Sequence, residues 1–187
     1  MALRFFKLND DVYVPQRWHL ATPLDGQGRK VHAWGFTCGT PVHVEGRLRI
    51  PIGMAGMPLD FTEAGVGIPA VHVKVASMLA KRAAGDVQLI PADIEGWPEQ
   101  YFVLVATRLI RCIDEKASRI LFWTDKDSEP DRVGQYRDVR DMHIDKTQVG
   151  NAKVFRPDGW EVALVVAEEI KDALEAMGAT GTRFQEV

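Results

Sequence analysis

A chain of 187 residues, 46% apolar and 26% charged, is long enough for one domain or two small packed lobes. It has enough core to fold without disulfides or metals, because a chain of this size buries roughly 70% of its unfolded surface. The formal net charge of −3 leaves no basic surplus of the kind that direct nucleic-acid binding needs. Met1-Ala2-Leu3-Arg4-Phe5-Phe6-Lys7 lacks the apolar core of a signal peptide. No apolar run approaches the about 20 residues of a membrane span, so a cytoplasmic location is expected.

Residues 1–60 read as a strand-rich lobe. Phe5, Phe6 and Leu8 form a first short strand, followed by the turn chemistry of Asn9-Asp10-Asp11. Val12-Tyr13-Val14 is a second run, closed by Pro15. A polar, Gly-containing loop covers 22–30. From Val31 to Thr37, His32, Trp34 and Phe36 alternate with smaller residues and predict a strand with an aromatic face. Val42 and Val44, then Glu45-Gly46, then Leu48, Ile50 and Ile52 predict a hairpin over 41–52. Gly53, Gly56, Gly65 and Gly67 mark 53–67 as a loop between lobes.

The second lobe, 68–187, reads as mixed α/β, making the chain α+β as a whole. Pro69 followed by Val71, Val75, Met78 and Leu79 at helical spacing predicts a helix over about 70–82, ended by Gly85-Asp86. Val87, Leu89 and Pro91 begin a strand. The apolar, β-branched stretch 100–113 predicts a central strand, bent near Thr107-Arg108. Residues 125–131 are a charged loop after Leu121-Phe122-Trp123. Val162 to Val166 reads as a final apolar strand or helix entry, and a helix follows to about 177, with Ile170, Ala173, Leu174 and Met177 on one face and Gly178 as its stop. Val71, Val75, Leu79 and Leu89 correspond to Val166, Ile170, Leu174 and Phe184 at one constant offset. That pattern fits two similar helix–strand units, although any two amphipathic helices can be aligned this way.

The chemistry-bearing residues form no catalytic, metal-binding or cofactor-binding motif. Cys38 and Cys112 are too few and too far apart for a disulfide framework or zinc site. The five histidines, His19, His32, His43, His72 and His143, include no His-x-x-x-His pair. Their ordinary role is strand surface. Cys38 beside His32 and His43 is the best nucleophile neighbourhood, and it defines a rival reading as a small Cys/His enzyme. The glycine pairs lack the Gly-Lys-Ser/Thr ending of a phosphate loop. Asp114-Glu115-Lys116-Ala117-Ser118 reads as a solvated turn.

Acidic surface is the stronger signal. Asp125, Asp127, Glu129 and Asp131 share one loop, and Glu168, Glu169, Asp172 and Glu175 line one helix face. Either group suits a basic partner, since complementary charge steers association. Of the five tryptophans, Trp97, between Gly96 and Pro98, is expected to be exposed and to serve as an interface anchor.

Several stretches carry a family resemblance. They are Arg17-Trp18-His19-Leu20 with Pro23; Gly46-Arg47-Leu48-Arg49-Ile50-Pro51; Gly85-Asp86-Val87-Gln88-Leu89-Ile90-Pro91 with Asp114 to Ser118; and Val165 to Glu175 with Thr180-Gly181-Thr182-Arg183-Phe184. With these the chain resembles a family of bacterial immunity proteins of polymorphic toxin systems, abundant in myxobacteria and once catalogued as a domain of unknown function. The resemblance implies a protein of bacterial competition and kin discrimination. It would bind a toxin encoded nearby, often a nuclease, and carry no catalytic residues. Ala167 departs from the Ser expected to cap the final helix. A nuclease surface is typically basic, so the two acidic groups are the expected contacts. A third reading is a structural or regulatory module that self-associates through the second lobe into a homo-oligomer.

Overall fold

The computed structural model describes residues 3–187. The elements run β1 (Phe5–Asp10), β2 (His19–Leu20), α1 (Ala33–Thr37), β3 (Leu48–Ile50), β4 (Ile52–Met54), β5 (Phe61–Ala64), β6 (Ile68–His72) and α2 (Val73–Arg82). They continue with β7 (Val87–Ile94), β8 (Tyr101–Ala106), β9 (Leu109–Ile110), β10 (Arg119–Phe122), β11 (Tyr136–Arg140), β12 (Val154–Pro157), β13 (Leu164–Ala167), α3 (Glu168–Ala176) and β14 (Thr182–Glu186). The class is α+β.

Two five-stranded sheets carry the architecture, ordered β3-β7-β8-β6-β5 and β14-β1-β13-β12-β9. Side chains alternate across each strand, so each sheet feeds two cores. Leu104 and Ala106 of β8 join Phe6 and Leu8 of β1, Val166 of β13 and both long helices in a shared central core. Val103 and Val105, on the other face of β8, pack with Trp18, Phe36, Leu48 and Ile50 from the N-terminal segment. Phe5, Phe155 and Val165, on the other face of the second sheet, pack with Val139, Met142 and Ile144. Each sheet therefore has its outer face covered by a long excursion of the chain. Because β8 is buried on both faces, its sequence is continuously apolar.

Sheet membership does not follow the order of the two expected lobes. β1 lies between β13 and β14, antiparallel to both, and β3 pairs in parallel with β7.

The repeated pattern in the sequence has a structural counterpart. β6–α2–β7 and β13–α3–β14 are both strand–helix–strand units. The helices start at 73 and 168 and the last strands at 87 and 182, an offset of 95 residues in each case. In each unit the two strands flank a third strand antiparallel to both, β8 in the first and β1 in the second. That third strand follows the first unit in the chain but precedes the second. Val75 and Leu79 of α2 meet Ile170 and Leu174 of α3 in the central core. Gly178 ends α3 with a φ of +64, where a side chain would be strained.

Several expectations are corrected. Val12-Tyr13-Val14 is a turn, with Val12 and Tyr13 exposed. Residues 33–37 form α1, not a strand, with Phe36 as the one buried residue. The 41–52 hairpin is absent. The Gln88 amide takes both backbone groups of Val42, accepting from its N–H at 2.9 Å and donating to its carbonyl at 2.8 Å. Those are the groups a hairpin ladder would have needed. β4 pairs instead with β2. The 53–67 stretch contains β5, which forms a hairpin with β6. Its turn uses Gly65 and Gly67 at φ +59 and +73. Residues 68–72, including Pro69, are strand, and the helix begins at Val73, where His72 accepts a hydrogen bond from the Lys74 N–H. The 100–113 stretch divides after Ala106. β9 leaves β8 and pairs with β12 in the other sheet.

Candidate functional site

The eight acidic residues singled out in sequence lie in two separate elements, the loop between β10 and β11 and the helix α3. Six of them are already ion-paired within the chain. Asp127 meets Arg137 at 2.6 Å and Glu129 meets Arg132 at 3.8 Å. Glu168 meets Arg4 at 2.7 Å, Glu169 meets Lys153 at 2.6 Å, and Lys171 serves both Asp172 at 3.5 Å and Glu175 at 2.7 Å. Only Asp125 and Asp131 have no ion pair among the described residues. Asp127 also accepts from the backbone and hydroxyl of Thr124, and these bonds, with Arg137, hold its carboxyl below the ordinary range. It shapes the loop more than it offers charge. Glu168 and Glu169 occupy the first turn of α3, where negative charge is favoured by the helix dipole.

Trp97 is half-buried, correcting the expectation of exposure. Its ring packs edge-on against Trp18 at 5.8 Å and against the core beneath the first sheet. The exposed tryptophan is Trp34, at 55%. Flanking Gly and Pro place residue 97 in a turn, but a turn can fold back on a core.

Cys38 and the two histidines do not assemble on neighbouring strands. His32 precedes α1 and Cys38 follows it. The Cys38 sulfur lies 3.1 Å from the Thr40 hydroxyl and 3.8 Å from the Gly35 carbonyl. His43 lines a different cleft with Asp25, Arg29 and Phe36. Cys112 is buried, and burial pushes its thiol up to about 12. Among the described residues no three His, Cys, Asp or Glu side chains could hold a metal ion, and no helix is long and apolar enough to cross a membrane. Asp114 closes its turn as expected, accepting from the backbone N–H of Lys116 and Ala117.

One surface cleft, of about 440 Å³, is announced by no local pattern. Trp34 of α1 forms one wall. Gly134, Gln135 and Tyr136, at the loop end of the β10–β11 hairpin, form another. Arg111 and Glu115 contribute from the segment after β9, and Asp158, Gly159 and Glu161 from the turn after β12. Phe122 of β10 packs on Tyr136 with ring centroids 5.6 Å apart. Tyr136 donates its hydroxyl to Glu115 at 2.7 Å. Burial, reinforced by that bond, pushes the phenol up to about 12. Beneath the turn, Arg156 is 2% exposed and donates through Nη1 to the carbonyls of Glu161 and Val162 at 3.0 and 3.3 Å. Burial lowers its pKa to about 10. Arg156 thus fixes the turn that carries Asp158 and Glu161. Sequence reasoning missed this site because its walls come from positions 34, 111–115, 134–136 and 158–161.

Residues 85–187, running from just before β7 to the end of the chain, match the model of the immunity protein family Imm11. No curated protein matches the chain.

Proposed function

The chain belongs to the Imm11 immunity protein family, and from that membership we propose that it protects a bacterial cell by binding a cognate toxin stoichiometrically and covering or distorting its working surface. The family match is the observation that carries this reading. The matched region, more than half of the chain, includes the second strand–helix–strand unit and the β10–β11 hairpin. On this reading the protein acts by binding and not by catalysis. Its partner is a protein toxin encoded nearby, with a nuclease as the leading class, and the encounter takes place in the cytoplasm. Self-association is not required.

Within the acidic surface, Asp125 and Asp131 at the hairpin loop are the proposed contacts, because their charges are not spent inside the chain. Charges at an interface rim steer encounter and select the partner. The test is a growth assay in which the neighbouring toxin gene is expressed with and without this protein. Rescue together with a 1:1 complex on a sizing column supports the reading. A toxic neighbour that this protein neither rescues nor binds overturns it.

A further inference from the structure

The cleft between Trp34 and Tyr136 combines two features that the acidic face of α3 lacks. The first is exposed aromatic area. Trp34 is 55% exposed and Phe122 37% exposed, and Phe122 extends the wall that Tyr136 begins. A large aromatic side chain left in water is a ready anchor for a partner, and Trp, Tyr and Arg dominate the strongly binding positions of protein interfaces. The second feature is an excess of negative charge. Glu115, Asp158 and Glu161 line the cleft against one cation, Arg111. Among the described residues none of these four forms an ion pair within 4.0 Å, whereas the surface carboxylates of α3 all do. Glu115 accepts from Tyr136, and Glu161 accepts from the Gly159 N–H at 2.9 Å. Those bonds hold the two carboxylates in place without cancelling their charge.

The contrast with a similar-sized groove at the start of α3 is informative. That groove is lined by Leu3, Phe5 and Ala152, but its rim charges are already matched, Arg4 with Glu168 and Lys153 with Glu169. It asks nothing electrostatic of a partner. The Trp34 cleft asks for a cation beside an aromatic ring. A guanidinium meets both demands, since it stacks on aromatic faces and bonds carboxylates in a fixed planar geometry.

We propose that this cleft is the docking site for an arginine side chain presented by a partner protein, received by Trp34 and Tyr136 and neutralised by Glu115, Asp158 and Glu161. The proposal rests on the immunity reading for the partner's identity, the toxin, and on the cleft alone for its chemistry. The hairpin that forms one wall also carries Asp125 and Asp131 in its loop, so a basic partner would meet one continuous element.

Two measurements test it separately from the immunity reading. In the first, backbone amide resonances of the full chain are followed during titration with N-acetyl-arginine amide and, in parallel, with N-acetyl-citrulline amide, its uncharged isostere. The expected result is saturable shifts at Gly134, Tyr136 and Gly159 with the arginine compound only. They should vanish in a Trp34→Ala, Asp158→Lys variant whose remaining spectrum is unchanged. Equal shifts with both compounds, or none with either, overturn the cleft assignment whatever the toxin result. In the second, the complex with the toxin that this protein suppresses is measured for the same variant and for Glu168→Lys with Glu169→Lys. At least a tenfold loss of affinity is expected in the cleft variant and less than a threefold change in the helix variant. A complex that forms normally with the cleft variant overturns the docking site and leaves the immunity reading standing. Failure of the wild-type chain to bind or rescue overturns the immunity reading, while the arginine titration still decides the cleft.

Discussion

Asp60 and Thr180 bond to each other in both directions. The Asp60 N–H donates to the Thr180 hydroxyl at 3.0 Å, and the Thr180 N–H and hydroxyl donate to the Asp60 carboxylate at 2.8 and 2.9 Å. The Phe61 N–H adds a bond to the Thr180 carbonyl at 3.0 Å. This exchange locks the start of β5 to the loop between α3 and β14, so it ties the two strand–helix–strand halves together.

Burial pushes the Asp60 carboxyl up, but hydrogen bonds from Lys74 and Thr180 outweigh it and leave it below the ordinary carboxylate range. A carboxyl depressed in the folded state stabilises that state above its unfolded pKa, and the contribution is lost as pH falls through the folded value. Asp60→Ala should therefore cost roughly 1–3 kcal/mol at neutral pH, the scale of hydrogen bonds to a charged group. Urea unfolding between pH 7 and pH 2.5 should show the mutant and wild type converging on the acid side. A constant gap across that range would contradict the linkage.

Ala167 occupies the N-cap of α3 with extended dihedrals and no side-chain acceptor. The equivalent position of the first unit, His72, accepts from the Lys74 N–H. Ala167→Ser should raise stability by about 1 kcal/mol. Thermal unfolding measures this directly, and an unchanged midpoint would mean that the first turn of α3 is already satisfied by water.

Arg156 and Glu63 are close enough for their charges to interact. Arg156 is buried with Nε and Nη2 lacking a protein acceptor among the described residues. Burial, with Asp10 as a neighbouring charge, raises the Glu63 carboxyl, while Arg156 pulls it back down. Removing the cation alone leaves a partly buried carboxylate beside Asp10. Glu63→Gln should thus be nearly neutral in the wild type and stabilising in an Arg156→Met background. A coupling of at least about 0.5 kcal/mol is expected in a double-mutant cycle. In the single Arg156→Met variant the folded Glu63 pKa rises further. Its stability should therefore increase as pH falls through that raised value toward the ordinary one. Additive behaviour would show that the two groups do not sense each other.

The internal ion pairs make opposite predictions for the two acidic groups. Asp125→Lys with Asp131→Lys should slow association with a basic toxin by several-fold at low salt, with little change in stability, because rim charges act on the on-rate. Asp127→Lys should instead disturb the loop itself, since it removes three interactions with Thr124 and Arg137. Stopped-flow association against salt concentration, paired with thermal unfolding, separates the two effects. Equal on-rates for wild type and the Asp125, Asp131 variant would remove the hairpin loop from the interface.

Much of the framework was written in local pattern. The 3.6-residue spacing of Val75 and Leu79, and of Ile170 and Leu174, marks α2 and α3 because a helix must turn one face to a core. The continuous apolar run at Tyr101–Ala106 marks a strand buried on both faces. The constant offset between the two units is visible because each obeys the same periodicities, and Gly178 stops α3 because only glycine takes that backbone at no cost. What tertiary structure alone decided is which distant segments complete one another. Alternation at 31–37 and 42–44 looks like strand, yet a strand needs a partner edge, and the Gln88 side chain had already taken the backbone of Val42. Trp34, and not Trp97, is the exposed tryptophan because exposure depends on what folds over a residue and not on its neighbours in sequence. The Asp60–Thr180 lock and the Trp34 cleft join residues scores of positions apart. Charge and aromaticity are legible in sequence, but proximity is made only when the sheets and their covering segments pack.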